Sequence, residues 1–311
     1  MFKKRMFGQA FIDEVALFDS IADFNLTVPH ERPLQQLLLE EGIEKTTAIV
    51  YKHVYQKHRS FIEKVNSYPT TPAPALTIKL VVIPGMFYKE YPEMGCDGML
   101  IKNIAEKFNF VCDILDIDSR GSILKNKETI VRKLTDDPHE NIWIVSFSKG
   151  SIETRIGLEE IYKSGLTRNN IKGWINVSGP IKGTALSDEK LNSALKYFLW
   201  RVFAEMTGIF GRMPDETAKS NALLKAPVNV PPQLEQIHLV GFPLASHLQP
   251  FTIGRYRKLS TYGPNDGIIM LSEALNLDGH VYPIWGVDHF LRSNHISEII
   301  YKLLNYITNK N

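Results

Sequence analysis

Cysteine is nearly absent from this chain of 311 residues, with only Cys96 and Cys112 present. Neither sits in a Cys-x-x-Cys unit, which argues against a disulfide framework and a thiolate zinc site, and both suit a reducing compartment. Charge of one sign is also missing: 36 Lys and Arg stand against 34 Asp and Glu, a net +2. Binding dominated by phosphate neutralisation calls for a basic excess, so nucleic acid is not an expected partner. No run approaches the roughly 18 consecutive apolar residues of a membrane span. The charged start Met1–Phe7 is not followed by the apolar core of a leader peptide, because Gln9, Asp13, Glu14 and Asp19 interrupt it. The expectation is a soluble, cytoplasmic protein. No Gly-x-Gly-x-x-Gly or Walker-type loop occurs, so no nucleotide cofactor is expected. There is no low-complexity tract and no internal repeat.

What is present suits a large buried core, since 44% of the residues are hydrophobic and 23% charged. Residues 1–75 read as a helical segment and linker. Phe11, Val15, Phe18 and Ala22 fall at helical spacing, with Ile12, Leu17 and Ile21 widening the stripe. Pro33 suits a helix start and Gly42 its end. A third helix from Thr46 or Thr47 carries Val50, Val54, Phe61 and Val65 on one side. Lys52, Lys57, Arg59 and Lys64 form the other side, a solvated basic face or one that meets an anionic membrane. The prolines from Pro69 to Pro74 close the segment.

From Leu76 the period changes. Strands are expected over Leu76–Ile83, Phe110–Ile117, Ile142–Phe147, Ile171–Val177, Ile237–Val240 and His280–Trp285. Helices are expected between them over Met99–Phe108, Lys127–Leu134 and Ser151–Ser164, and after the last strand over Ile296–Ile307. This alternation predicts an α/β fold over 76–311, a mostly parallel sheet of about six strands with helices on both faces. The interval 183–234 breaks the rhythm with extra helix and reads as an insertion.

The stretch Trp143-Ile-Val-Ser-Phe-Ser148-Lys149-Gly150 runs an apolar strand into Ser-x-Ser-x-Gly and then a helix. That is the setting of a nucleophile elbow, a tight turn that presents a serine Oγ at the C-terminal edge of a sheet. Small residues are needed two before and two after the nucleophile. Gly150 meets the need, and Ser146 stands where a glycine is usual. The helix N-terminus supplies backbone N–H groups, and Lys149 N–H would face a developing oxyanion. Taken alone, the string also reads as a polar turn. Three further stretches favour the catalytic reading. Ile83-Pro84-Gly85-Met86-Phe87 follows the first core strand, where Met86 N–H would be a second oxyanion donor. Asn265-Asp266-Gly267 lies late in the chain, where a carboxylate partner for an imidazole is wanted, although it is also a strong turn sequence. Asp288-His289 follows the last strand.

With Asp118-Ser-Arg-Gly121 at the end of the second core strand, this ordered set resembles the α/β-hydrolase superfamily, more narrowly its lipase- and esterase-like members. The resemblance spans roughly residues 76–311. It departs from the usual pattern at Pro84, where histidine is common, at Ser146, and in lacking the first two family strands. It implies a strand order in which the second core strand lies outside the first. The resemblance also implies a triad of Ser148, Asp266 and His289, with Asp288 the rival acid, and an oxyanion hole from the Met86 and Lys149 N–H groups. The implied activity is carboxylic ester hydrolysis through an acyl-enzyme, with no cofactor and no metal. The alternatives are a thioesterase and a catalytically silent fold that serves as a binding module.

Ser146-Phe-Ser-Lys149 also spells Ser-x-x-Lys, but no Ser-Asp-Asn or Lys-Thr-Gly partner follows. Asp116-Ile-Asp118 has no His or Cys cluster to complete a metal site. In the insertion, Leu191, Leu195, Phe198, Leu199, Trp200, Val202, Phe203, Met206, Ile209 and Phe210 suit a cap over a hydrophobic acyl pocket, with Phe87, Phe198 and Trp200 as candidate substrate contacts. Apolar residues nearly all round 195–206 predict burial rather than one-sided exposure. The expected partner is a small-molecule or lipid ester, with peripheral membrane contact as a further expectation.

Overall fold

The computed structural model describes residues 14–21, 34–73, 78–166, 170–293 and 295–310. In chain order its elements are α1 (Glu14–Asp19), α2 (Leu34–Lys57), α3 (Arg59–Asn66), β1 (Lys79–Ile83), α4 (Met99–Ala105), β2 (Val111–Ile114), α5 (Ile123–Asp136), β3 (Ile142–Phe147) and α6 (Lys149–Lys163). There follow β4 (Ile171–Val177), α7 (Ala185–Leu191), α8 (Ala194–Thr207), α9 (Met213–Thr217), α10 (Ala222–Lys225), β5 (Glu235–Phe242), α11 (Pro250–Leu259), β6 (His280–Trp285) and α12 (His295–Thr308). Phe11, Ile12, Ala22, Pro33 and residues 74–77 lie outside the described residues.

The strands form one parallel sheet in the order β2-β1-β3-β4-β5-β6, the order that the resemblance implies. Every residue of β1 and β3 is buried, as a strand covered on both faces requires. Ile83 pairs with Ser146, so β1 and β3 end level and the loops that follow them emerge side by side. The second strand is shorter than expected. Phe110 and Leu115–Ile117 fall outside it, and β2 pairs with β1 over four residues only.

The chain divides into two compact units whose boundaries fall within β5 and β6. One comprises residues 1–59, 240–277 and 281–289. Here α2 bends at Gly42, whose φ of 76° and ψ of 171° separate the two expected helices. Val50 and Val54 pack with Phe242, Leu271 and Val281. The basic side of α2 is not a free face. Lys52 Nζ donates to Ile21 O at 2.8 Å and Lys57 Nζ to Leu275 O at 2.7 Å, so two of its lysines serve as internal fasteners.

The other unit comprises 60–239, 278–280 and 290–311. In it α5 packs along α6, and Ser122 caps α5 by accepting from Lys125 N. Ile123 and Ile152 from these two helices form a cluster with Ala204, Ile209, Met213 and Leu224 of the 183–234 interval. The expectation of burial for α8 does not hold. Only Ala204 of this helix is buried, and Leu195, Phe198, Leu199, Val202, Phe203 and Met206 are 43–81% exposed. These six recur at helical spacing and so lie on one side, while Trp200 and Ala204 hold the other side to the cluster.

Candidate active site

In the unit that carries β3, Ser148 sits between the end of the strand and the first turn of α6, with φ 47° and ψ −119°. A non-glycine residue in that region is strained by about 1–3 kcal/mol, so the surrounding structure must enforce it. The enforcement is visible. Ser148 N donates to Val177 O at 3.2 Å, and Ser151 N to Ser148 O at 3.0 Å. A side chain at Gly150 would lie 2.3 Å from Pro84 O and 2.9 Å from Ile83 O, so only glycine admits the loop after β1 this close. A side chain at Gly85 would likewise lie 3.4 Å from Ser148 Cβ.

The loop after β1 runs beside this elbow. Gly85 N donates to Cys96 O at 2.9 Å and Phe87 N to Ser119 O at 3.3 Å. The Met86 N–H between them has no acceptor among the described residues, nor does Lys149 N–H, which opens a helix and has no intrahelical partner. Ser146, in the place of the usual glycine, is fully buried and accepts from Trp174 Nε1 at 2.7 Å, with Ser151 Oγ at 2.8 Å. Its hydroxyl therefore ties β3 to β4 and α6.

Below the elbow, the Lys149 ammonium pairs with Glu153, to which Asn126 Nδ2 also donates at 2.8 Å. Burial pushes the Glu153 carboxyl up to about 7, against the pull of Lys149 and Asn126. This cluster was not anticipated. The i,i+4 spacing of Lys149 and Glu153 is visible in the sequence, but such pairs usually lie on exposed helix faces.

The other unit holds Asp266 and His289. His289 Nδ1 lies 2.9 Å from Asp266 Oδ2, and His289 N donates to Asp266 O at 3.1 Å. Asp266 Oδ1 accepts from the N–H groups of Ile268 and Ile269, both at 2.8 Å. A carboxylate only accepts, so this contact puts the ring proton on Nδ1 and makes Nε2 the acceptor nitrogen. Both residues are buried, and the acid bonded to the imidazole is that of Asp266.

No protein-family model and no curated protein matches the sequence. Solved structures do resemble the fold. A metagenomic carboxyl esterase superposes with a TM-score of 0.62 at 16% identity, over 84% of this chain and 90% of that one. A Bacillus licheniformis lipase in its mature form superposes with a TM-score of 0.51 at 17% identity, over 76% of this chain and 91% of that one. The chain has the α/β-hydrolase fold.

In this α/β-hydrolase fold the expected substrate contacts are scattered. Phe87 and Trp200 both border the cluster around Ile123 and Ile152, whereas Phe198 is 63% exposed. Trp200 is engaged on both faces of its role, donating from Nε1 to Gly211 O at 3.0 Å and receiving Lys190 Nζ 3.8 Å from a ring centroid. The Asp118–Gly121 loop ties down α8, since Arg120 Nη1 donates to Thr207 O at 2.6 Å while its Nε pairs with Glu90 at 3.0 Å. Arg155 was missed altogether. Fully buried on α6, it donates to the carbonyls of Ile181, Leu223, Leu224 and Ala226, and pairs with Glu159. An arginine amid helical residues carries no sequence signal of such a role. Among the described residues, no helix is long and apolar enough to cross a membrane.

Proposed function

We propose that this protein is a serine hydrolase of carboxylic esters. Ser148 Oγ attacks the ester carbonyl as His289 Nε2 takes its proton, and Asp266 orients the imidazole and stabilises its charged form. The tetrahedral oxyanion accepts from Met86 N–H and Lys149 N–H. Collapse expels the alcohol, which takes the proton from His289, and leaves an acyl group on Ser148. A water activated by the same imidazole then releases the acid and restores the serine.

The observation that carries this reading is the strained Ser148 backbone, held by a glycine-only contact beside two N–H groups without acceptors. The Asp266–His289 bond supports it independently, and the esterase and lipase likeness agrees with it. Fluorophosphonate labelling tests it. Wild-type protein should label at one site, and Ser148→Ala should abolish the label while His289→Ala slows it. Absence of labelling in folded wild-type protein would sink the enzyme and leave the silent binding module.

The interval 183–234 acts in this proposal as a cap, with an apolar acyl group as the preferred substrate. The exposed α8 stripe supports peripheral contact with lipid, since a one-sided apolar helix face seats in the headgroup boundary. Phe198→Ser combined with Met206→Ser should reduce flotation with phosphatidylcholine vesicles without changing the melting temperature. Equal flotation of both proteins would remove this contact.

A further inference from the structure

The loop that carries Met86 N–H is held from outside the elbow. Phe87, the next residue, has φ 63°, a left-handed backbone that strains any residue but glycine. Its own backbone bond to the 116–121 loop is long, Phe87 N to Ser119 O at 3.3 Å. Glu90 adds closer contacts at the same point. Its backbone N–H donates to Phe87 O at 3.1 Å. The buried Ser119 hydroxyl donates to both oxygens of its carboxylate, at 2.7 and 2.9 Å, and Arg120 Nε pairs with it at 3.0 Å. Arg120 in turn meets the chain twice at the end of α8. Its Nη1 donates to Thr207 O at 2.6 Å, and its carbonyl accepts from Phe210 N at 2.9 Å.

These contacts differ in weight. A hydrogen bond to a carboxylate is about twice as strong as a neutral one. The Glu90–Arg120 pair is partly exposed and contributes little alone, whereas the Ser119 bond, with its donor buried, contributes more. Tyr88 Oη also joins the two loops, donating to Ile117 O at 3.0 Å, and the exposed Lys89–Asp116 pair joins them at the surface. Glu90 is the side chain that reaches Ser119, whose carbonyl accepts from Phe87 N. We propose that Glu90 is a positioning residue for the oxyanion hole: through Ser119 it fixes the strained Phe87, and so aims Met86 N–H at the oxyanion formed on Ser148. Through Arg120 the same carboxylate registers the end of α8. This role rests on the ester hydrolysis proposed above and deepens it.

Steady-state hydrolysis of p-nitrophenyl butyrate by the full chain tests it, alongside inhibition by an aliphatic trifluoromethyl ketone. Ser148 Oγ adds to the ketone carbon, its proton passes to His289, and the carbonyl π pair becomes the oxyanion. Ketone affinity therefore reads the oxyanion hole directly. Outright loss of one donor costs about 10²–10³ in rate. Glu90→Ala displaces the donor without deleting it and should lower kcat about 10- to 100-fold. KM should stay within about twofold, and ketone affinity should fall by the factor lost from kcat/KM. Ser119→Ala gives a second reading should Glu90→Ala fail to fold, with a loss of at least about tenfold in the same pattern. Glu90→Gln keeps an acceptor for Ser119 and should recover most of the rate. Lys89→Ala should leave kcat, KM and ketone affinity as in wild type. Wild-type protein that neither hydrolyses nor labels removes the hydrolase reading, and this role with it. In an active wild type, three results overturn the role alone: unchanged kcat in folded Glu90→Ala or Ser119→Ala, a rise in KM in place of the fall in kcat, or an equal loss in Lys89→Ala.

Discussion

The same substitution at two glycines of α6 should act in opposite directions. At Gly150 an added Cβ would meet two backbone oxygens, Pro84 O at 2.3 Å and Ile83 O at 2.9 Å, as well as Ile83 Cγ2 at 3.1 Å. Ordinary contact begins near 3.5 Å, so relief requires the 84–86 loop and the helix to part by about 1 Å. Neither can yield by rotating a side chain. Overpacking of this kind costs about 1–3 kcal/mol. The movement also displaces Met86 N–H from Ser148, and a misplacement of about 1 Å costs on the order of 10²-fold in rate. At Gly157 the Cβ would sit 3.5 Å from Ile130 Cγ2 and Val131 Cγ2, which is ordinary packing. Alanine there should stabilise the helix by about 0.5–1 kcal/mol. Urea denaturation gives the stabilities, and p-nitrophenyl butyrate hydrolysis with fluorophosphonate labelling gives the rates. Gly150→Ala with unchanged stability and rate would refute the close-approach argument, as would equal destabilisation by Gly157→Ala.

Placing at position 146 the glycine usual in elbows of this fold should harm the protein. Ser146→Gly leaves Trp174 Nε1 and Ser151 Oγ buried without their shared partner, at a cost of about 1–3 kcal/mol, and an unchanged melting temperature would contradict the assigned tie. Asp266→Asn should lower the labelling rate by about 10⁴-fold by holding the wrong tautomer of His289. Asp288→Asn should leave it near the wild-type value, and the reverse ranking would reassign the acid. Glu153 binds its proton more tightly folded, at about 7, than at its ordinary 4.5. Its contribution is therefore complete below pH 4.5 and lost as pH rises through 7, a fall of about 3 kcal/mol. Urea midpoints across that window should show the slope in wild type and its disappearance in Glu153→Gln.

The parallel core was legible because strands buried on both faces read as continuous apolar runs. Ile142–Phe147, Ile171–Val177 and His280–Trp285 begin and end where their patterns do. The elbow was legible for a steric reason, since a turn that tight admits only small neighbours. What escaped was set by partners distant in the chain. The use of Ser146 depends on Trp174 and Ser151, and the Lys149–Glu153 pair is buried because α5 lies along α6. The α8 stripe shows the limit of composition. Trp200 and Ala204 suffice to hold the helix, so the larger apolar residues face outward, a choice that periodicity alone does not make.

Arg155 gives the 183–234 interval an architectural meaning. One guanidinium holds Ile181, just before the interval, together with Leu223, Leu224 and Ala226 near its far end, while Glu159 accepts from Asn229 N. The excursion thus leaves and rejoins the core at a single fixed gate. Closure entropy grows only slowly with loop length, so the stretch between tolerates changes of length wherever Ala204, Ile209 and Met213 stay packed on Ile123 and Ile152. The interval is in this sense a cassette held at its two ends, with the exposed side of α8 as the part open to exchange on an unaltered core.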